Sequence, residues 1–151
     1  MGEVAEVLVR EATESDLPGV LHLYAQPELD AGEVFSEAEA RAHFARLRRY
    51  PDYRLYVAER EGQIVGTFAL LIMDNLSHRG APSGVVEAVA VRPDLQGQGI
   101  GRQMMAFALE RCRAAGCYKM ALSSNLRRIA AHAFYESLGF ERHGYSFRIE
   151  P

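Results

Sequence analysis

The sequence predicts an α/β (α+β) domain built on a mixed, mostly antiparallel sheet. Three observations carry that expectation. Strand-like and helix-like periodicities follow one another in the order β-α-α-β-β-β-α-β-α-β over the 151 residues. Two strand-like runs, 53–59 and 63–73, are separated only by Arg60-Glu61-Gly62, a hairpin turn signal. A near-continuous β-branched run, Val85 to Val91, leads through Pro93-Asp94 and three alternating glycines into a helical pattern.

Taken in order, Glu6 to Glu11 alternates as a first strand. Thr13 then caps a helix, with Asp16 three residues on as an imperfect capping box. Leu17, Val20, Leu21 and Tyr24 share one face of it, Pro18 is tolerable in its first turn, and Gln26-Pro27 ends it. Glu28 to Phe35 is an acidic loop. Ser36-Glu37-Ala38-Glu39 caps a second helix with Ala40, Phe44 and Leu47 on its apolar face, and Pro51-Asp52 breaks it. The hairpin follows, then a polar loop from Asp74 to Gly84 and the Val85–Val91 strand. A helix from about Gly99 to Ala115 carries a buried stripe of Ile100, Met104, Ala108 and Cys112, with Gly116 as its C-cap. Lys119 to Ser123 is a short strand, Asn125 caps a helix running to about Ser137, and Phe140 to Ile149 is a last strand. No internal repeat or low-complexity segment interrupts this, so residues 1–151 read as a single domain.

Composition narrows the function classes. Hydrophobic residues are 48% and charged residues 25%, and the net charge of −3 offers no electrostatic footprint for nucleic acid. No apolar run approaches the roughly 20 residues that span a bilayer. The stretch Met1 to Glu6 is acidic, unlike a signal-peptide n-region, and Gly2 lacks a myristoylation context. Cys112 and Cys117 read as two buried thiols of a cytoplasmic protein, and no Cys/His spacing suits zinc.

The region of greatest chemical content is Val85 to Arg102. A strand, a tight glycine turn and a helix start make an anion site. The first amides of a helix lack intrahelical partners and carry the positive end of its dipole. The dinucleotide fingerprint Gly-x-Gly-x-x-Gly does not fit, because Gly97-Gln98-Gly99 is followed by Ile100 and Gly101. The P-loop does not fit either, because the chain contains no Gly-Lys pair. What fits is Gln96-Gly97-Gln98-Gly99-Ile100-Gly101, which resembles the Arg/Gln-x-x-Gly-x-Gly/Ala signature of the GNAT family of N-acetyltransferases. Downstream, Asn125 … Ala131-His132-Ala133-Phe134-Tyr135 … Gly139-Phe140 resembles that family's second motif.

The resemblance implies the GNAT fold, with helices on both faces of its sheet, and acetyl-CoA as cosubstrate. It implies that amides of Gln96, Gly97, Gln98, Gly99, Ile100, Gly101 and Arg102 surround the diphosphate. The backbone of Val89, Ala90 and Val91 would bond the pantetheine arm like an added strand. An amide near Ala88 or Val89 would polarise the thioester oxygen. Asn125 either caps its helix or touches the cofactor. Tyr135 is either a packing tyrosine or the general acid for the departing thiolate. A thiol pKa of about 8.5 and a phenol pKa of about 10 suit that proton transfer. Glu87, a carboxylate within an apolar strand, either pairs or faces solvent, or serves as base for the amine.

The expected reaction is direct attack by a small primary amine. Acetylation of a protein amine, or a non-catalytic coenzyme A-binding module, are the alternatives. Loops Glu28–Phe35 and Asp74–Gly84 are expected to line the acceptor site. The segment around Ser124–Arg128 is similar to aminoalkylphosphonate acetyltransferases. A homodimer is expected from the family alone.

Overall fold

The computed structural model describes residues 6–151; the stretch Met1 to Ala5, with the leader and lipidation readings made on it, lies outside them. Strand β1 is Leu8–Glu11, α1 Leu17–Tyr24, α2 Glu37–Leu47, β2 Tyr53–Arg60, β3 Gln63–Met73 and β4 Ser83–Val91. Then come α3 Ile100–Ala115, β5 Lys119–Leu122 and α4 Ile129–Ser137. The chain forms two compact units, one running to Ala121 and one from Leu122 to Pro151.

The sheet order is β1-β2-β3-β4-β5, with the first three pairings antiparallel. The Tyr118 amide donates to the Pro82 carbonyl at 2.9 Å. The starts of β4 and β5 therefore lie together, and the α3 crossover makes β5 the parallel member of a mixed sheet.

Cross-strand register sorts the core onto two faces. Tyr56 opposes Phe68 and Ala58 opposes Gly66. On that face Tyr56 stacks on Phe68 at 5.2 Å and meets Phe107 of α3 edge-on. A Cβ on Gly66 would lie 2.8 Å from the Met104 sulfur, so the missing side chain lets α3 sit against β3. The expected stripe of Ile100, Met104, Ala108 and Cys112 is fully buried here. The opposite face carries Val57, packed with Leu17 and Val20 of α1 and Ala40 and Phe44 of α2. Helices therefore cover both faces, as the patterning requires.

The helix starts follow their sequence signals. The Ser36 hydroxyl accepts from the Glu39 amide at 3.3 Å while the Glu39 carboxylate accepts from the Ser36 amide at 3.1 Å. At the earlier start, the Asp16 carboxylate accepts from the Thr13 amide at 2.7 Å. Asp16 also receives both Arg10 guanidinium nitrogens, at 2.7 and 2.9 Å, in a forked pair that ties β1 to α1. The Arg10 bond holds this carboxyl below its ordinary range, outweighing the desolvation that pushes it up. A depressed folded value adds stability above the unfolded pKa, about 3.9, and that stability disappears as pH falls through the folded value. Asp16→Asn is therefore expected to lower stability by about 2 kcal/mol at pH 7. Urea titrations should show that deficit shrinking below about pH 4. A deficit constant with pH would mean that the pair does not titrate as argued.

Two expectations are corrected. Phe140 to Ile149 is not a strand. Tyr145, Phe147 and Ile149 do alternate, but they are about 90% exposed. Alternation marks a face that suits a sheet, whereas a strand exists only where a neighbour completes its backbone ladder. The tie in this stretch is between side chains, Ser146 Oγ to Ser123 Oγ at 3.0 Å. Asn125 does not cap α4 either, because Arg128 holds that position. The Asn125 side chain instead accepts from the Arg127 amide at 2.9 Å, and its carbonyl accepts from the Arg128 amide at 3.0 Å. It shapes an Asx turn three residues upstream of the cap.

Candidate active site

The site grows out of an irregularity in β4. Ala90 opposes Thr67, yet Glu87 opposes Ala69. Ala88 and Val89 together therefore face the single residue Phe68, and Ala88 takes φ +52°. This is a β-bulge, and its extra residue inverts the alternation of side chains. Without it Glu87 would point at α3. With it, Glu87 shares a face with Val85, Leu71 and Tyr53, on the side of α1 and α2.

An open cleft of about 530 Å³ lies on that face. Leu47 and Tyr50 come from the end of α2, Tyr53 and Leu71 from β2 and β3, and Val85, Glu87 and Ala88 from β4. Glu87 is exposed to it rather than buried. Burial raises the Tyr53 hydroxyl above its ordinary pKa, and the negative charge of Glu87 adds to the shift. Deeper on the α1 side, the Tyr24 hydroxyl bonds to Thr67, whose own hydroxyl donates to the Tyr56 carbonyl at 2.8 Å. Burial pushes Tyr24 up to about 12. Neither of the loops expected to line the acceptor supplies a residue to this cleft. In the second of them, His78 stacks on Tyr118 at 3.9 Å instead.

Past the bulge β4 has an open side. The Arg92 amide donates to the Val65 carbonyl at 2.9 Å. In an antiparallel ladder that orientation alternates, so Ala90 also turns its amide and carbonyl to β3. Val89 and Val91 turn theirs the other way. Strand β5 spans four residues beside the nine of β4 and starts level with its beginning. No described strand runs along the Val89–Val91 side. The Val91 carbonyl accepts there from Gln26 Nε2 at 3.2 Å and Gln96 Nε2 at 3.4 Å.

The glycine turn follows at once. Arg92 forks onto Asp94 at 2.7 and 3.0 Å and reaches Gln63 at 2.9 Å, which fixes the corner. Gly97 and Gly99 have φ of +81° and +84°, values open to glycine at no steric cost. Gly99 is the N-cap of the 16-residue α3, whose first intrahelical bond runs from the Gln103 amide to the Gly99 carbonyl. The amides of Ile100, Gly101 and Arg102 thus precede the ladder. Gln96, Gly97, Gln98 and Arg102 are exposed, and the Gln98 side chain accepts from Arg60 at 3.4 Å. Amides that precede the ladder at the positive end of a long helix, next to an open strand edge, fit a diphosphate with an amide-bearing arm.

Tyr135 and Asn125 belong to the second unit. Tyr135 is half-buried between Phe134 at 5.2 Å and Phe140 at 5.6 Å. Burial raises its hydroxyl pKa, against an opposing pull from Arg128. His132 Nε2 lies 2.7 Å from the Asn125 carbonyl, which makes it part of the turn. Cys112 and Cys117 are free; Cys112 is buried and Cys117 half-buried. Burial, chiefly, pushes the Cys112 thiol up to about 12, so it is not a thiolate nucleophile at neutral pH. Among the described residues no cluster of His, Cys, Asp and Glu is placed to hold a metal ion.

Sequence reasoning missed Leu47, Tyr50 and Tyr53 as site residues. The available signal was Tyr50-Pro51-Asp52-Tyr53, two aromatics bracketing a helix-to-strand break. Such junctions on a rigid scaffold are common places for binding groups.

Comparison with known proteins agrees with this geometry. Residues 17–140 match the model of the acetyltransferase (GNAT) family. The chain is 33% identical to an aminoalkylphosphonate N-acetyltransferase of Salmonella typhimurium, over 92% of this chain and 88% of that protein. It is 29% identical to a glucosamine 6-phosphate N-acetyltransferase of Trypanosoma brucei brucei, over 99% of each. A crystal structure of a Trypanosoma brucei acetyltransferase superposes with a TM-score of 0.83 at 31% identity, over 97% of this chain and all of that one. On the family-model match and these relatives, the chain belongs to the GNAT acetyltransferase family and is an acetyl-CoA-dependent N-acetyltransferase.

Proposed function

We propose that the chain acetylates the primary amine of a small molecule by direct attack, with amine and acetyl-CoA held in one ternary complex. Residues 1–151 act as one catalytic domain in this reading. The observation that carries it is the bulge at Ala88. One irregularity sets Glu87 on the cleft wall, and past it no described strand runs along the Val89 side of β4.

When bound, acetyl-CoA supplies an acetyl group activated as a thioester. The amides of Gln98 to Arg102 hold the diphosphate, and the backbone of Val89 and Val91 orients the arm. An amide at Ala88 or Val89 faces the carbonyl oxygen as its charge grows. Glu87 takes a proton from the ammonium, directly or through water, so that a neutral amine is presented. Much of the rate gain is proximity, because both reactants are held together. As the C–N bond forms and the C–S bond breaks, Tyr135 gives its proton to the departing sulfur, and the second proton lost from the amine nitrogen passes to solvent. The raised pKa of Tyr135 keeps it protonated at neutral pH, the form an acid needs. Burial of the Cys112 thiol supports direct attack over an acyl-enzyme route through that residue.

Tyr135→Phe is expected to lower kcat about tenfold with little change in acetyl-CoA affinity. The effect stays at the low end for acid catalysis because a thiolate of pKa about 8.5 already leaves well. Unchanged kcat would return Tyr135 to a packing role. The function is tested by following free-thiol release from acetyl-CoA across a panel of primary amines and a lysine-bearing peptide. Release with small amines supports the reading. Release with the peptide alone, or with nothing, overturns it. A cytoplasmic setting, supported by the free thiols, and a homodimer complete the proposal. Light scattering tests the homodimer.

A further inference from the structure

The reading of a small-amine acetyltransferase leaves the acceptor open, and the cleft beside Glu87 narrows it. Its lining holds one carboxylate and no Lys, Arg or His. Two of the basic side chains that flank it in sequence are engaged elsewhere, and Arg49, beside Tyr50, is exposed. Arg48 lies over the Phe44 ring at 5.5 Å, and Arg54 donates to the carbonyls of Tyr50, Pro51 and Tyr53. The remaining wall is apolar: Leu47, Leu71, Val85 and the rings of Tyr50 and Tyr53. Those rings meet edge-on, centroids 6.0 Å apart at 67°. Tyr50 is half exposed there.

The chemistry of such a wall is selective. A carboxylate attracts an ammonium group, and aromatic faces attract cations and stack on rings. A phosphate or phosphonate placed in the same cleft would meet the Glu87 charge at short range with no cation among the lining residues to offset it. It would also lose hydration without a donor to replace it. The volume is of small-molecule size.

We infer that the acceptor is a primary arylalkylamine, a cation with an aromatic body and no anionic group, seated with its ammonium at Glu87 and its ring against Tyr50 and Tyr53. The inference rests on the small-amine reading. It separates this chain from the phosphorylated or phosphonylated amines named for two of its relatives.

The test is kcat/KM by thiol release for three probes: 2-phenylethylamine, 2-aminoethylphosphonate and D-glucosamine 6-phosphate. 2-Phenylethylamine is expected to exceed each anionic probe by at least about 100-fold. Tyr50→Ala should raise KM for 2-phenylethylamine about tenfold while KM for acetyl-CoA stays put. Tyr50→Arg, which adds a cation to the wall, should narrow the gap to 2-aminoethylphosphonate by about tenfold. Equal or better turnover of either anionic probe by the parent protein overturns the inference and leaves the acetyltransferase reading standing. So does a Tyr50→Ala variant with unchanged KM. If calorimetry shows acetyl-CoA binding but no amine is acetylated, the small-amine reading itself falls and this inference with it.

Discussion

Glu87→Gln is expected to lower kcat about 100-fold at pH 7, within the range for losing a general base. At that pH a primary amine with a pKa of about 10.4 is neutral in only about one molecule in 2,500. Only the neutral form has the electron pair that attacks carbon. In the proposed role the Glu87 carboxylate accepts the proton as the amine arrives, and a carboxamide of the same shape cannot. Glu87 is exposed, so its replacement leaves the core untouched, and the thermal midpoint should stay within a degree or so. The affinity for acetyl-CoA should also hold, since the cradle lies past the far end of β4. A further signature comes from pH: raising it toward 10 lets solvent deprotonate the amine, so the gap between parent and variant should narrow. A variant that turns over normally at pH 7 would show that Glu87 has no part in the chemistry.

Gly99→Val is expected to weaken acetyl-CoA binding at least about 30-fold in calorimetry. Gly99 caps α3 with φ +84°, where an L side chain costs roughly 1–2 kcal/mol, and more when β-branched. The new side chain would also stand among the amides that precede the ladder. Strain and obstruction can be separated at Gly97, where φ is +81° but a Cβ would meet nothing within 4 Å. Gly97→Ala therefore adds strain with no collision, and a loss of less than tenfold is expected there. Normal binding by a folded Gly99→Val protein would mean that the diphosphate lies somewhere other than this turn.

Several features were legible because contiguous residues encode them. The capping box at Ser36 and Glu39 formed as read, since its partners are three residues apart. The hairpin formed with positive φ at Glu61 and Gly62. The stripe from Ile100 to Cys112 is buried as its spacing requires. The glycine turn sits where its motif placed it, between β4 and α3.

The site depended on information that is not contiguous. The residue at the bulge is Ala88, and alanine carries no sequence mark for positive φ. Which face Glu87 occupies was therefore undecided until the register of β3 against β4 was known. The cleft beside Glu87 was not foreseen, because Tyr50 and Tyr53 come beside Glu87 only when β2, β3 and β4 pair. The last strand was misread for the same reason.

On its own, then, the sequence determined the family, the cosubstrate and the place of the glycine turn between β4 and α3. These rest on local spacing, caps and turn chemistry, which act over a few residues. The tertiary structure alone decided where Glu87 points, what walls the cleft beside it and whether the alternating residues after Phe140 become a strand. Each of those depends on pairing between distant segments, and in a sheet a shift of one residue in that pairing moves every side chain to the other face.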